Sequence, residues 1–389
     1  MGGLALQVDF NQDGRMSTAT DLITGMKMTL DQVMMEYFTA ESGAYLFTPL
    51  GSAQPLLQGC PTTRVAKGLL VTSVEQYFPE TVRQTVRVYS GNQVTPQNRA
   101  IEIVVNVDGA LSPNRELIMR FNSDIQNSGR YYTDNGLEMV VRDFDTSWPD
   151  KIASNYRPII SSITVNDAQA YLTLISSQAH GVASLAQGQL EVMIQRRTMQ
   201  DDGLGMEEAM DETAPCQASF DVIFQATLKD TALLRHHLAL TRNNPLTILH
   251  TDLPQNAAEW AANHYLSFSP LAQPFPPNVH LLTFQRRNGI SSSVAMRLVH
   301  LYEVEEHPEL SQDATVDLGA IFSDRNLDDL DERTLSLRDP VSVVHSPYRW
   351  SSTAHPHEKA SENFADSRAP NAQLRPVQIR TYLTDFREK

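Results

Sequence analysis

The chain is poor in cysteine: Cys60 and Cys216 are the only two in 389 residues. That is too few for a disulfide framework or a zinc ribbon, and it leaves one bridge or two buried thiols open. Positive charge is also scarce, with 31 Lys and Arg against 46 Asp and Glu and a formal charge of −15. Such a balance argues against general affinity for nucleic acid or anionic lipid. No apolar run approaches the ~18 residues of a membrane helix, and the opening MGGLALQVDFNQDG has neither the basic nor the long apolar stretch of an export signal. An Asn-x-Ser/Thr acceptor, common in secreted eukaryotic glycoproteins, is missing. So are a P-loop, a dinucleotide fingerprint, a nucleophile elbow and a Cys-His pairing.

What is present is globular. Hydrophobic residues at 41% and charged residues at 20% exclude collagen, a disordered chain and a stapled miniprotein. The length suits two or three domains, or one very large β domain. The dominant period is two. Leu190, Val192 and Ile194 alternate with Glu191 and Met193, Phe220, Val222 and Phe224 with Asp221, Ile223 and Gln225, and Met296, Leu298 and His300 with Arg297 and Val299. Similar runs at 69–72, 82–89, 101–107, 170–176, 279–284 and 379–383, mostly separated by Gly, Pro, Asn or Asp, predict an all-β protein of the sandwich kind. Helix signals are few: 206–210 is short and acidic, 257–265 follows Pro254, and 21–34 reads either way. The turn at Asn243, Asn244 and Pro245 divides the chain into residues 1–244 and 245–389, and the stretch 345–373, rich in Ser, Ala, Pro and His, is expected to be a mobile loop.

Four constellations carry polar chemistry. Asp9, Asn11, Asp13 and Gly14 match the first half of an EF-hand calcium loop, but Thr20 stands where the bidentate carboxylate belongs, so an Asp-Gly hairpin turn is expected. His250 and Asp252 share one face of an extended segment without a third ligand in sight, and His236, His237, His355 and His357 read as surface histidines. In QRRTMQDDGLG, Arg196, Arg197, Asp201 and Asp202 end a strand and enter a Gly-rich turn, where they either converge on a groove or pin the loop as an ion-pair cluster. Tyr131 and Tyr132 in GRYYTDNG sit beside a turn, either packed or placed to meet a sugar.

Five ordered segments carry a family resemblance: SGAYLF (42–47), RFNSDIQNSGRYYTDNGLEM (120–139), LTLISSQAHGVASLAQGQLEVMIQRRTMQDDGLG (172–205), PPNVHLLTF (276–284) and LRPVQIRTYL (374–383). Together they resemble the carboxyl-terminal β region of glycoside hydrolase family 38, and the lysosomal-type α-mannosidases in particular. The resemblance implies a large β super-sandwich of the galactose mutarotase kind followed by a smaller β-sandwich. It implies a retaining α-mannosidase whose Asp nucleophile, acid/base carboxyl and zinc lie in an amino-terminal portion, since neither H-x-D-x-G-W nor H-H-D-A-I-T-G-T occurs here.

By the same resemblance, this chain holds no catalytic residue and no metal. Tyr132 resembles a tyrosine that reaches across the domain interface to hydrogen-bond mannose, and Asp134, Arg196, Arg197, Asp201 and Asp202 line the same pocket. Two departures imply differently shaped loops: Asp134-Asn135-Gly136 lacks an intervening Leu, and Gly203-Leu204-Gly205 is shortened. Expected partners are the amino-terminal catalytic portion, mannose-containing oligosaccharides and a further copy of the chain, in a lysosome or another acidic compartment. A standalone carbohydrate-binding or scaffolding module is the competing expectation.

Overall fold

Alternating apolar positions organise the first part of the chain into two antiparallel sheets. A computed structural model describes residues 1–39, 41–79, 81–252, 256–287, 293–343 and 371–388. The chain divides into two compact units, Met1–Leu246 and Thr247–Lys389.

In the first unit an eight-stranded sheet runs Leu6–Phe10, Met16–Asp21, Lys27–Phe38, Arg115–Ser123, Gln189–Arg197, His180–Ala183, Arg157–Ile159, with Gln54–Pro55 beside Lys27–Phe38. A nine-stranded sheet runs Met139–Asp143, Arg130–Asp134, Ser162–Asn166, Tyr171–Ser176, Cys216–Gln225, Ile101–Val107, Val82–Tyr89, Val71–Tyr77, Thr62–Lys67. Leu190, Val192 and Ile194 from one sheet meet Phe220, Val222 and Phe224 from the other in a shared core with Phe121 and Tyr131. Each large side chain buried there contributes about 1.5–3 kcal/mol. A polar link crosses this core: Gln32 and Gln84, both buried, exchange amide hydrogen bonds between the two sheets, and Gln84 donates on to Gln76.

A bulge decides what the site will contain. In Gln189–Arg197 the register against Arg115–Ser123 slips between Met193 and Gln195, so that Glu191 faces Arg120 and Arg196 faces Glu116. One extra residue reverses the alternation. Arg196, at even spacing from the inward Leu190, Val192 and Ile194, thereby joins Glu191 on the outer face, and Arg197 turns the other way.

The second unit follows the same logic with fewer strands. Val279–Arg286, Ser293–His300, Ile379–Glu388 and Arg325–Arg333 form one sheet, and Ala314–Asp317 pairs with Asn371–Leu374. Met296, Leu298, Val316, Leu374 and Tyr382 share its core, and Arg380 is held by Glu332 in a buried ion pair.

The all-β expectation is met, with two α-helices among the described residues. One of them, Leu228–Asn243, was not anticipated. Thr227 caps it by accepting from the Asp230 amide, Leu234 and Leu238 pack on Ile175 and Ile223, and Arg242 holds the buried Asp221. The second helix, Ala257–Asn263, lies where one was expected. Residues 206–210 are not helical; Met210 instead forms an isolated bridge with Thr198. Residues 21–34 resolve to strand from Lys27. Of the expected loop 345–373, residues 345–370 lie outside the described residues, and 371–373 belong to the strand Asn371–Leu374.

Candidate functional site

The Arg/Asp loop and the SGAYLF segment, far apart in sequence, meet at the peptide of Leu46. Asp202 Oδ2 accepts the Tyr45 amide at 2.6 Å and the Leu46 amide at 3.1 Å, while Arg196 Nη2 donates to the Leu46 carbonyl at 2.9 Å. The clamp requires glycine beneath it, because a Cβ on Gly43 would stand 2.6 Å from Asp202 Oδ2. Partial removal from water pushes the Asp202 carboxyl up, but the amides of Tyr45, Leu204 and Leu46 draw it below the ordinary aspartate range. Asp201 closes a short turn by accepting the Gly203 amide at 2.7 Å.

Arg196 also pairs with Glu116 across the strands, at 2.6 Å. Glu116 is almost wholly buried; loss of water raises its carboxyl to about 7, and Arg196 offsets only part of that rise. Arg197 donates instead to the Leu111 carbonyl at 2.8 Å on the core side. The two adjacent arginines therefore serve opposite faces, and only Arg196 belongs to the clamp.

Tyr132 and Asp134 stand on the other sheet, in Arg130–Asp134. Tyr132 is half-buried on the face away from the core, opposite Val141 and Thr164. Its neighbour Tyr131 is core, its hydroxyl donating to the Asn155 carbonyl at 2.7 Å. Asp134 is buried and saturated: it accepts the amides of Ile160, Ser161 and Ser162 at 2.8–3.0 Å, the Ser161 hydroxyl at 2.9 Å and the Gly136 amide at 3.2 Å. That geometry makes Asp134 the pin that holds residues 160–162 to the hairpin, with no lone pair directed elsewhere.

A second polar cluster escaped the sequence reading. Glu191, fully buried, accepts the Tyr37 hydroxyl at 2.7 Å, the Tyr156 hydroxyl at 2.6 Å and Arg120 Nε at 2.7 Å. Burial, followed by the charge of Glu191, raises both tyrosines well above the usual phenol range. Phe47 packs edge-on against Tyr37 and Tyr156, at 5.4 and 5.1 Å between ring centres, so the clamp and this cluster are continuous. A signal existed in KMTLDQVMMEYF: from Val33 onward every residue but Glu36 is hydrophobic, so both phases of the alternation are largely apolar, as suits a strand covered on both faces.

The calcium-like run is the turn of a hairpin. Asp9 accepts from Gln7 and Thr18, the Asn11 side chain accepts the Arg15 amide, and Gly14 takes φ +70°. His250 and Asp252 are exposed, and among the described residues no three His, Cys, Asp or Glu side chains gather as metal ligands. Cys60 and Cys216 are free thiols.

Residues 4–204, which contain the clamp, Tyr132 and Glu191, match the glycosyl hydrolases family 38 C-terminal domain. The chain belongs to glycosyl hydrolase family 38. It is similar to the α-mannosidase of Canavalia ensiformis, 28% identical across 93% of this chain and 39% of that protein. The lysosomal α-mannosidase of Felis catus is 30% identical across 89% of this chain and 34% of that protein. In fold it resembles the crystal structure of an α-mannosidase from Enterococcus faecalis V583, with a TM-score of 0.65 and 12% identity over 98% of this chain and 41% of that one. The chain thus spans between about a third and two fifths of the length of these relatives. Every strand that positions the clamp lies within the family match, whose last residue is Leu204 in the Asp202 loop.

Proposed function

We propose that this chain is the β half of a retaining α-mannosidase that removes terminal α-mannose from oligosaccharides, and that it is inactive without an amino-terminal catalytic portion. The observation that carries the reading is the clamped loop. Arg196 and Asp202 fix the Leu46 peptide from both sides, yet the side chains presented around it are apolar and exposed, with Tyr45 at 57%, Leu46 at 44% and Leu204 at 55%. A loop held rigidly while presenting apolar side chains to water is built to be covered by another protein surface. Around Tyr132, Val141 and Ile160 are exposed in the same way.

In the assembled enzyme two carboxylates of the catalytic portion would carry out double displacement with retention. The zinc that the family implies would be held there as well, and no step of its chemistry falls on the described residues. This chain would supply a wall: Tyr132 as a hydroxyl for the sugar, with Arg196, Asp201 and Asp202 shaping the loop beside it. Asp134 and Arg197 support the wall from behind. The names of the lysosomal relatives favour an acidic compartment.

The test is hydrolysis of an aryl α-mannoside at acidic and neutral pH by the 389-residue chain, alone and with a family 38 catalytic portion added in trans. Turnover only in the mixture, diminished by Tyr132→Phe, supports the reading. Turnover by the chain alone refutes it.

A further inference from the structure

On the outer face of the eight-stranded sheet, beside the Glu191 cluster, a cleft of about 270 Å³ opens. Its floor is made by Tyr37 and Arg120, and Glu191 fixes both. Arg120 directs Nε and Nη2 to Glu191 and Tyr37, which leaves Nη1 as a donor and compensates the guanidinium charge. Gln189 donates its amide N–H to Asn122, which leaves its carbonyl as an acceptor. The Ser52 hydroxyl and the Lys151 ammonium, both on exposed residues, complete the polar rim, and Phe144, Ile152 and Leu185 supply an apolar wall. The loop from Phe144 to Lys151 also carries Trp148, which is 63% exposed.

We propose that this cleft binds the pyranose ring of a neutral sugar. A pyranose has C–H faces that pack on apolar and aromatic surface and a rim of hydroxyls that both donate and accept. Preset donor, acceptor and hydroxyl groups beside an apolar wall match that mixture. An anion is a poorer fit, because only Lys151 brings an uncompensated charge and the Gln189 carbonyl opposes a second acceptor. The volume lies at the small end of ligand clefts, so the cleft takes one ring and not an extended chain. An exposed tryptophan on the loop that forms the rim is a side chain left in water where stacking can use it. The proposal concerns binding by this chain alone and neither requires nor tests the mannosidase reading.

The experiment is calorimetric titration of the full chain with methyl α-mannopyranoside and methyl α-glucopyranoside, followed in parallel by tryptophan fluorescence, with inorganic phosphate as competitor. Saturable millimolar binding of either glycoside, weakened at least tenfold by Ser52→Trp and by Lys151→Ala at unchanged melting temperature, supports the site. If Ser52→Trp lowers the melting temperature, Gln189→Ala takes its place under the same criterion. Absence of saturable binding, binding unaffected by these variants, or displacement of the sugar by phosphate would overturn it.

Discussion

Asp202 lies so close over Gly43 that any side chain at position 43 would overlap it: an added Cβ would meet the Asp202 Oδ2, Cβ and Cγ at 2.6–2.7 Å. The same carboxylate holds the amides of Tyr45 and Leu46. Packing and hydrogen bonding at this point are therefore one constraint, and they can be separated by mutation.

Gly43→Ala should lower the melting temperature of the first unit by several degrees, as steric overlap against a fixed group does. Asp202→Ala should cost less. The double variant should be more stable than Gly43→Ala alone, because the overlaps with Oδ2 and Cγ disappear with the carboxylate and only that with the Asp202 Cβ remains. Additive losses in a double-mutant cycle would show that the two residues do not press on each other.

Glu116 sets a pH dependence. Its folded carboxyl is raised to about 7 from an ordinary 4.5, so the folded chain binds the proton more tightly than the unfolded chain. Its contribution is fully present below about pH 4.5 and is lost as pH rises through about 7, to a limit of about 3 kcal/mol. Asp221, raised by burial, acts in the same direction. Thermal melts between pH 4.5 and 7.5 should show the stability of the wild type relative to Glu116→Gln falling as pH rises, since His180 and His280, lowered by burial, act in the opposite direction in both proteins. Equal slopes would remove Glu116 from the account.

Glu191→Leu should destabilise the first unit by about 3–5 kcal/mol, because Arg120 would keep a largely buried charge without its partner. Glu191→Gln, which retains acceptor capacity, should cost less. The check is the urea midpoint of each variant.

Asp134 and Tyr132 should separate cleanly. Asp134→Ala strands the amides of 160–162 and should cost about 3 kcal/mol. Tyr132→Phe should leave stability within about 0.5 kcal/mol, since the residue is half-buried and outside the core, while reducing turnover of the reconstituted enzyme. Loss of stability in Tyr132→Phe would give its hydroxyl a structural role in this chain.

Much of this architecture could be read in the chain because strands with one buried face write their period directly into residues such as Leu190, Val192 and Ile194. The helix Leu228–Asn243 was harder. Its buried side chains are few and its first turn is marked only by Thr227 and Asp230, a weak cap signal in a chain otherwise dominated by period two. The opposite destinations of Arg196 and Arg197 were hidden for another reason: they follow from the bulge near Ile194, and a bulge leaves no side-chain pattern of its own. Glu191 was concealed by alternation itself, which marks it as the polar phase of a strand whose outer face is also covered.

The amide exchange between Gln32 and Gln84 has a consequence for assembly. Apolar side chains tolerate sliding, so two greasy sheet faces could meet in several offsets of similar energy. A reciprocal pair of amides does not, because a displacement would break both of its hydrogen bonds inside a core that is otherwise largely apolar. The two glutamines work as a key between layers: they select one alignment among the many that burial alone would permit, and so set where the edges of both sheets come to rest.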